Sequence, residues 1–288
     1  MRLFLLACLT MTAFAANSLL NRAAIAGGTI DVASFATIRL IAGAVTLAVL
    51  CAVLRGGLHL GGPARKTGVL ALLVYLYGFS AAYDALDAGI GALILFAMVQ
   101  VTMFGFAVSR QEHIPPHRWV GTGLALAGLF GLLWPGEAAT ISLPHAAAMA
   151  LAGVAWGVYS LAGKRSADAL QATAANFVLA VPVGLGVLAG WAAIDPAVPS
   201  IGSLTGVGLA ILAGAITSGL GYALWYTVLP SLSSTSAAVA QLSVPVIALI
   251  AGAMLLGETV SLRAAMSAAT VLLGVALSLV PARARRSG

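Results

Sequence analysis

Of 288 residues, 61% are hydrophobic and only 8% charged, with a mean hydropathy of +1.06 and a formal charge of +6. A soluble domain carries about 25% charged residues, so this chain cannot cover a water-facing surface. Its charges sit in short clusters between continuously apolar runs of about 18 to 23 residues, enough to cross ~30 Å of hydrocarbon as helix; the ~10-residue alternation of a β-barrel is absent.

Ten spans follow in chain order, near residues 3–21, 33–54, 67–86, 89–109, 118–135, 144–163, 171–192, 203–227, 232–256 and 262–280. Gly/Pro turns such as Arg55-Gly56-Gly57 and Pro115-Pro116 punctuate them, leaving no room for a soluble domain. The start also fits a cleavable secretory signal, with Ala13-Phe14-Ala15 as processing site. Cleavage would delete the helix that pairs with span six in the repeat described below, so span one is expected to be retained. Asn17 lies one turn from Asn21 in span one, where it makes either an interhelical hydrogen bond or a substrate contact.

Arg39 in span two is the only charged residue clearly inside a span. Either it snorkels to the outer interface with its stem in lipid, or it faces a cavity or pairs with a backbone carbonyl, and could then meet a substrate carboxylate. Cys8 and Cys51 both fall within spans and lack metal-type spacing, so packing is expected, without a disulfide. Span three carries Tyr75, Tyr77 and Ser80, span four Gln100 and Thr102, and span seven Asn176. A polar side chain is expensive in hydrocarbon and usually faces a protein neighbour or a wet cavity.

In span six, Trp156, Tyr159 and Ser160 share one helix face, as do Tyr222, Trp225 and Tyr226 in span eight, beside Thr217 and Ser218. Such aromatics serve as interface anchors, as core packing, or as a wall against an apolar or cationic substrate. In span nine, Pro245 frees a carbonyl at the level of Gln241, which makes the pair a candidate hinge and cavity wall.

Among the loops, one alternating set holds only Arg22 and Arg263 as basic residues. Apart from Arg39, all other Lys and Arg, from Arg2 to Arg286, lie in the opposite set or at the termini. The acids are reversed: only Glu112 and Asp168 accompany the basic set. The positive-inside rule then places both termini in the cytoplasm, in a bacterial inner membrane, with the Arg283–Arg286 tail against anionic headgroups. The net charge reflects topology and membrane-lipid partners, and no nucleic-acid partner is expected.

Shifting the chain by 146 residues aligns Ala92 with Ala238, Glu112 with Glu258, Gly128 with Gly274 and Pro135 with Pro281. A shift of 142 pairs Phe14-Ala15 with Trp156-Gly157 and Ser18 with Ser160. The halves are 1–141 and 142–288. Each holds an odd number of spans, so the second enters the membrane from the opposite side. The expected fold is an all-α membrane protein of ten transmembrane helices, built as two inverted five-helix repeats around a central cavity that rocking opens to either side.

With Trp156-Gly157-Val158-Tyr159-Ser160, Tyr222-Ala223-Leu224-Trp225-Tyr226, Pro245 and Gly257-Glu258-Thr259-Val260-Ser261 in this order, nearly the whole chain resembles the EamA-type branch of the drug/metabolite transporter superfamily. It is most similar to the amino acid exporters, including the YddG-like exporters of aromatic amino acids. In the first half Phe14 stands where a Trp is common, Gln111-Glu112 replaces Gly-Glu, and Val99 stands opposite Pro245. The resemblance implies that spans one to four and six to nine surround the cavity, with five and ten peripheral, and that Trp156 and Tyr77 line it.

The expected substrate-binding set is Asn17, Arg39, Tyr77, Gln100, Trp156, Tyr159, Tyr222 and Gln241, with Pro245 as hinge. No catalytic, metal or cofactor site is expected: there is no His-Glu-x-x-His, Gly-x-Ser-x-Gly, P-loop or intramembrane acid cluster. An enzyme is thereby disfavoured, and a receptor or scaffold is disfavoured by the short loops and the inverted repeat. The lack of a deep carboxylate points to a facilitator or exchanger of amino acids and related metabolites rather than a carboxylate-coupled antiporter, with multidrug efflux as the alternative. Glycine pairs such as Gly153/Gly157, Gly186/Gly190 and Gly202/Gly206 allow close helix packing and leave monomer and homodimer both open.

Overall fold

The computed structural model describes residues 2–111, 114–134, 141–163, 166–194, 202–228 and 234–278, and among them the fold is all-helical, without a strand. The first half contributes α1 (Arg2–Ile25), α2 (Val32–Arg55), α3 (Arg65–Ala82), α4 (Ala88–Ser109) and α5 (Pro116–Leu133). The second contributes α6 (Leu143–Gly163), α7 (Ala169–Ile194), α8 (Leu204–Leu212), α9 (Gly221–Val228), α10 (Ser234–Leu256) and α11 (Leu262–Ser278). Between α8 and α9 the chain continues without a break as a π-helix, Ala213–Leu220.

Six of these rods are long and apolar enough to cross a membrane: Leu3–Ile25, α2, α4, α6, α7 and Leu204–Trp225. Ser243–Leu256 and Leu262–Ser278 are shorter apolar helices. Large apolar side chains such as Phe4, Val53, Phe130, Leu204, Met254 and Leu273 point outward, as they do where the solvent is lipid rather than water. Cys51 is buried and Cys8 exposed, and both are free thiols.

Local sequence sets the helix ends. Asp31 caps α2 by accepting from the Ser34 amide at 2.9 Å, and Gly56 ends it in the left-handed conformation at φ +73°. Ser203 caps α8 through the Gly206 amide. Arg263 donates to the carbonyls of Gly131, Leu132 and Trp134, closing the C-terminus of α5. Two boundaries differ from the sequence expectation. Helix α1 runs on to Ile25, because Arg22 does not end it but reaches across to the carbonyls of Tyr83 and Asp84. Helix α3 stops at Ala82, and residues 83–86 form the turn whose carbonyls receive that arginine.

Packing is pairwise: α5 on α11, α2 on α7, α3 and α4 on α6, α4 on α10, and α1 on α10 and on the α8–π–α9 rod. Glycine brings several of these backbones into contact. A Cβ on Gly274 would stand 2.6 Å from the Gly121 carbonyl, and one on Gly153 equally close to the Leu95 carbonyl. Gly157 meets Thr102, so the Gly153/Gly157 pair does form a close face, whereas Gly186 and Gly190 have open space.

Candidate functional site

Mid-bundle, five helices converge on a narrow cavity. Its walls are Phe14, Asn17 and Ser18 of α1, Tyr75 and Phe79 of α3, Leu95 and Phe96 of α4, Trp156 of α6 and Tyr222 of α9. In this conformation the space holds about one water. Trp156 is the hub of the aromatic wall. Its ring lies 4.8 Å from Tyr75, 5.1 Å from Tyr222 and 5.6 Å from a stacked Tyr159. Phe14 closes the box edge-on to Tyr222 at 5.8 Å, a geometry that favours contact with another ring or an apolar body.

The polar side is built by α1 and the π-helix. The Thr217 hydroxyl donates to Asn17 Oδ1 at 3.0 Å, Asn21 donates to the Asn17 carbonyl, and Ser80 donates to Asn21 Oδ1 at 2.8 Å. A π-helix is rare and collects at functional positions. Here it turns Thr217 toward α1 and Ser218 toward α2.

Arg39 does not snorkel. It is fully buried (0% exposed), with Nε donating to Ser218 at 3.0 Å and Nη2 to Tyr75 at 3.3 Å. Its guanidinium carbon lies 5.5 Å from the Tyr75 ring centre and 5.1 Å from that of Phe79. Among the described residues Nη1 has no hydrogen-bond partner, and the buried Tyr222 hydroxyl lies beside that of Tyr75 without a well-formed hydrogen bond. Snorkelling fails because the residue faces α3 and the π-helix, where Gly214 lets the second half close directly on the Arg39 backbone.

Of the expected set, the fold therefore brings Asn17, Trp156 and Tyr222 to the cavity, with Arg39 and Tyr159 directly behind its wall. The others are placed elsewhere. Tyr77 shares a 2.7 Å hydrogen bond with Thr37 and packs by Gly184, between α2, α3 and α7. Gln100 donates to Ser278 of α11 at 2.8 Å. Gln241 is half-buried on α10 and is not among the lining residues. Pro245 lies in an uninterrupted α10, beside Val244 and Ala248, which pack against Met11, Ala15, Ala92 and Trp225. The side chain of Tyr226 lies outside the described residues, as does Glu112. Phe14, Phe79, Leu95 and Phe96 were not expected at the site. One signal was present: Tyr75 and Phe79 stand one turn apart on one face of α3, and Tyr83, just past its end, keeps the same spacing.

Polar clusters tie down both ends of the bundle. At one end Arg22 pairs with Asp87 at 3.4 Å and with Glu258 at 3.5 Å, and the Ala88 amide donates to Glu258 at 2.9 Å. At the other, Arg55 pairs with Asp168 at 2.6 Å, Gln171 donates to the Gly57 carbonyl, and Arg65 donates to Asn176 and the Ala172 carbonyl.

The two acids titrate in opposite senses. Burial pushes the Glu258 carboxyl above its ordinary value, and Asp87 adds to this against the Ala88 amide and Arg22. Burial also pushes Asp168 up, but Arg55 and the amides of Gln171 and Leu170 outweigh it and hold that carboxyl below its ordinary value. The stability from Glu258 is thus complete in acid and is lost as pH rises through its raised value, while that from Asp168 is lost as pH falls. Glu258→Gln is expected to flatten the dependence of melting temperature on pH upward from the ordinary carboxylate range, without loss at neutral pH. Glu258→Ala strips the Ala88 amide of its acceptor and costs about 1 kcal/mol. Thermal melting in detergent across that range checks both.

The sequence profile of the EamA-like transporter family matches residues 144–280. The uncharacterized protein PA1977 of Pseudomonas aeruginosa is 45% identical over 298 aligned residues, which take in 100% of this chain and 98% of that protein. A protein of known crystal structure superposes with a TM-score of 0.64 at 19% identity, over 95% of this chain and 97% of its own. At that identity the likeness speaks to fold alone.

Proposed function

Because the chain belongs to the EamA-like transporter family, and is thus a multi-pass membrane transporter rather than an enzyme, we propose that it exports amino acids and related small metabolites across a bacterial inner membrane by alternating access. The carrying observation is a mid-bundle cavity that joins an aromatic wall to amide and hydroxyl groups of both halves, with a buried arginine behind it.

The packing supports ten crossings as two inverted five-helix repeats, 1–141 and 142–288. Contact of α3 with α6 is answered by α1 with the α8–π–α9 rod, and α4 with α6 by α1 with α10. The pairs α2/α7, α4/α10 and α5/α11 each join equivalent helices, as a two-fold axis in the membrane plane requires. Both termini then face the cytoplasm, and the Arg22–Asp87–Glu258 cluster seals the outer end. Rocking about the glycine-lined contacts would open the two ends in turn, with Pro245 as hinge. No acid lines the cavity, which favours facilitated or exchange transport over carboxylate-proton coupling.

Multidrug efflux is the second reading, favoured by the permissive aromatic wall and opposed by the fixed positive charge of Arg39. A competition screen of the twenty amino acids in proteoliposomes separates the two. Competition by large apolar or aromatic amino acids is expected. Trp156→Ala should weaken it about 10-fold or more, and Gln241→Ala less, since residue 241 is off the cavity wall. Efflux of cationic dyes with no amino acid competing would overturn the reading.

A further inference from the structure

Resting on that reading, we infer that the site recognises its cargo by the carboxylate, so that an aromatic or bulky apolar monocarboxylate is bound whether or not it carries an α-ammonium group. Arg39 is a fully buried cation, and among the described residues no carboxylate pairs with it. Ser218 and Tyr75 take two of its donors, both as neutral hydroxyls, and two rings cover it without neutralising it. A buried cation without a counter-ion is among the costliest arrangements in a protein, and the compensating anion has to come from somewhere.

Two donors mark where it would sit. Among the described residues, Arg39 Nη1 makes no hydrogen bond, and the buried Tyr222 hydroxyl, beside that of Tyr75, makes no well-formed one. Tyr222 lines the cavity, while Arg39 lies against the rings of Tyr75 and Phe79, which are themselves lining residues. A carboxylate has two oxygens with lone pairs to match a guanidinium N–H and a phenol O–H. The rest of such a cargo would lie against Trp156, Phe14 and Phe96.

For an ammonium group the site offers much less. None of the lining residues is acidic, and the side-chain acceptors they offer, on Asn17, Ser18, Tyr75 and Tyr222, are all neutral. Asn17 Oδ1 is already engaged by Thr217. Charge recognition is therefore one-sided. A second fixed cation entering the cavity would be repelled by Arg39 across low dielectric.

The test holds the ring constant and changes the charge. Phenylalanine, 3-phenylpropionate and phenethylamine are compared as ligands by thermal shift of the purified full chain, and as substrates in proteoliposomes, with wild type, Arg39→Gln and Arg39→Lys. Both carboxylates are expected to bind and be transported, within about 10-fold of each other, and the amine to do neither. Arg39→Gln should lose at least 10-fold in both carboxylates, and Arg39→Lys should recover part of that loss. Retention of the size-exclusion profile shows that the variant is folded. Phenethylamine handled as well as phenylalanine, or Arg39→Gln without effect, overturns the inference and leaves the transporter reading intact. A thermal shift from chloride alone, measured against sulfate buffer, with no response to either carboxylate, assigns the counter-ion to an inorganic anion and also overturns it. Failure of all three compounds together with all twenty amino acids overturns the transporter reading itself.

Discussion

Arg39→Met is expected to raise the melting temperature of the folded protein while abolishing most of its transport. The wild-type guanidinium is fully buried with one nitrogen unsatisfied, and exchanging buried ions for apolar side chains of similar volume is neutral or stabilising by ~1 to 4 kcal/mol. Part of that gain is offset, because Ser218 and Tyr75 each lose a donor, so a net stabilisation of about 1 kcal/mol is the expected result. Transport moves the other way. A charge-assisted hydrogen bond contributes ~1.5 to 3 kcal/mol, or about 10- to 100-fold in affinity. Melting in detergent and uptake into proteoliposomes, run on the same preparation, check both signs. A purely structural Arg39 would give the opposite pattern, with lower stability and transport per folded molecule unchanged.

Two glycines on one helix should behave oppositely. A Cβ on Gly121 would meet the Gly274 carbonyl and, at 2.5 Å, the Ser278 amide, both backbone atoms of α11 that cannot yield. Gly121→Ala is therefore expected to force α5 from α11 and to cost ~1 to 3 kcal/mol. Two residues on, Gly123 has no neighbour within 4 Å, and Gly123→Ala should gain ~0.5 to 1 kcal/mol from helix propensity alone. Thermal melting of the two variants side by side tests the crossing. Neither α5 nor α11 contributes to the cavity wall, so transport per folded molecule should be unchanged in both.

Much of this was legible in the residues. Apolar run length located the helices to within a few positions, because crossing hydrocarbon leaves the backbone no other way to satisfy its hydrogen bonds. Gly128 and Gly274, which a shift of 146 residues aligns, both lie at the α5/α11 contact, where each would clash if given a Cβ. Asn17, Trp156 and Tyr222 reached the cavity because a polar or amphipathic side chain deep in a span has few other places to go. Tyr77 and Gln100 answer the same chemistry differently, by bonding to Thr37 and Ser278 on neighbouring helices. Nothing in their local sequence distinguishes those partners from a substrate.

By itself, then, the sequence determined that the chain is a helical membrane protein, since composition and apolar run length are summed along the chain and need no partner, while the transporter class rested on the repeat and the family resemblance. Only the tertiary structure decided which way Arg39 faces. Its two fates, lipid interface or protein interior, differ in what stands beside α2, and that is settled by a π-helical turn 179 residues away along the chain. The same packing placed Tyr75 and Phe79 over the guanidinium and left one of its nitrogens without a partner among the described residues. Burial and pairing belong to helices meeting in space, and no local pattern of residues encodes them.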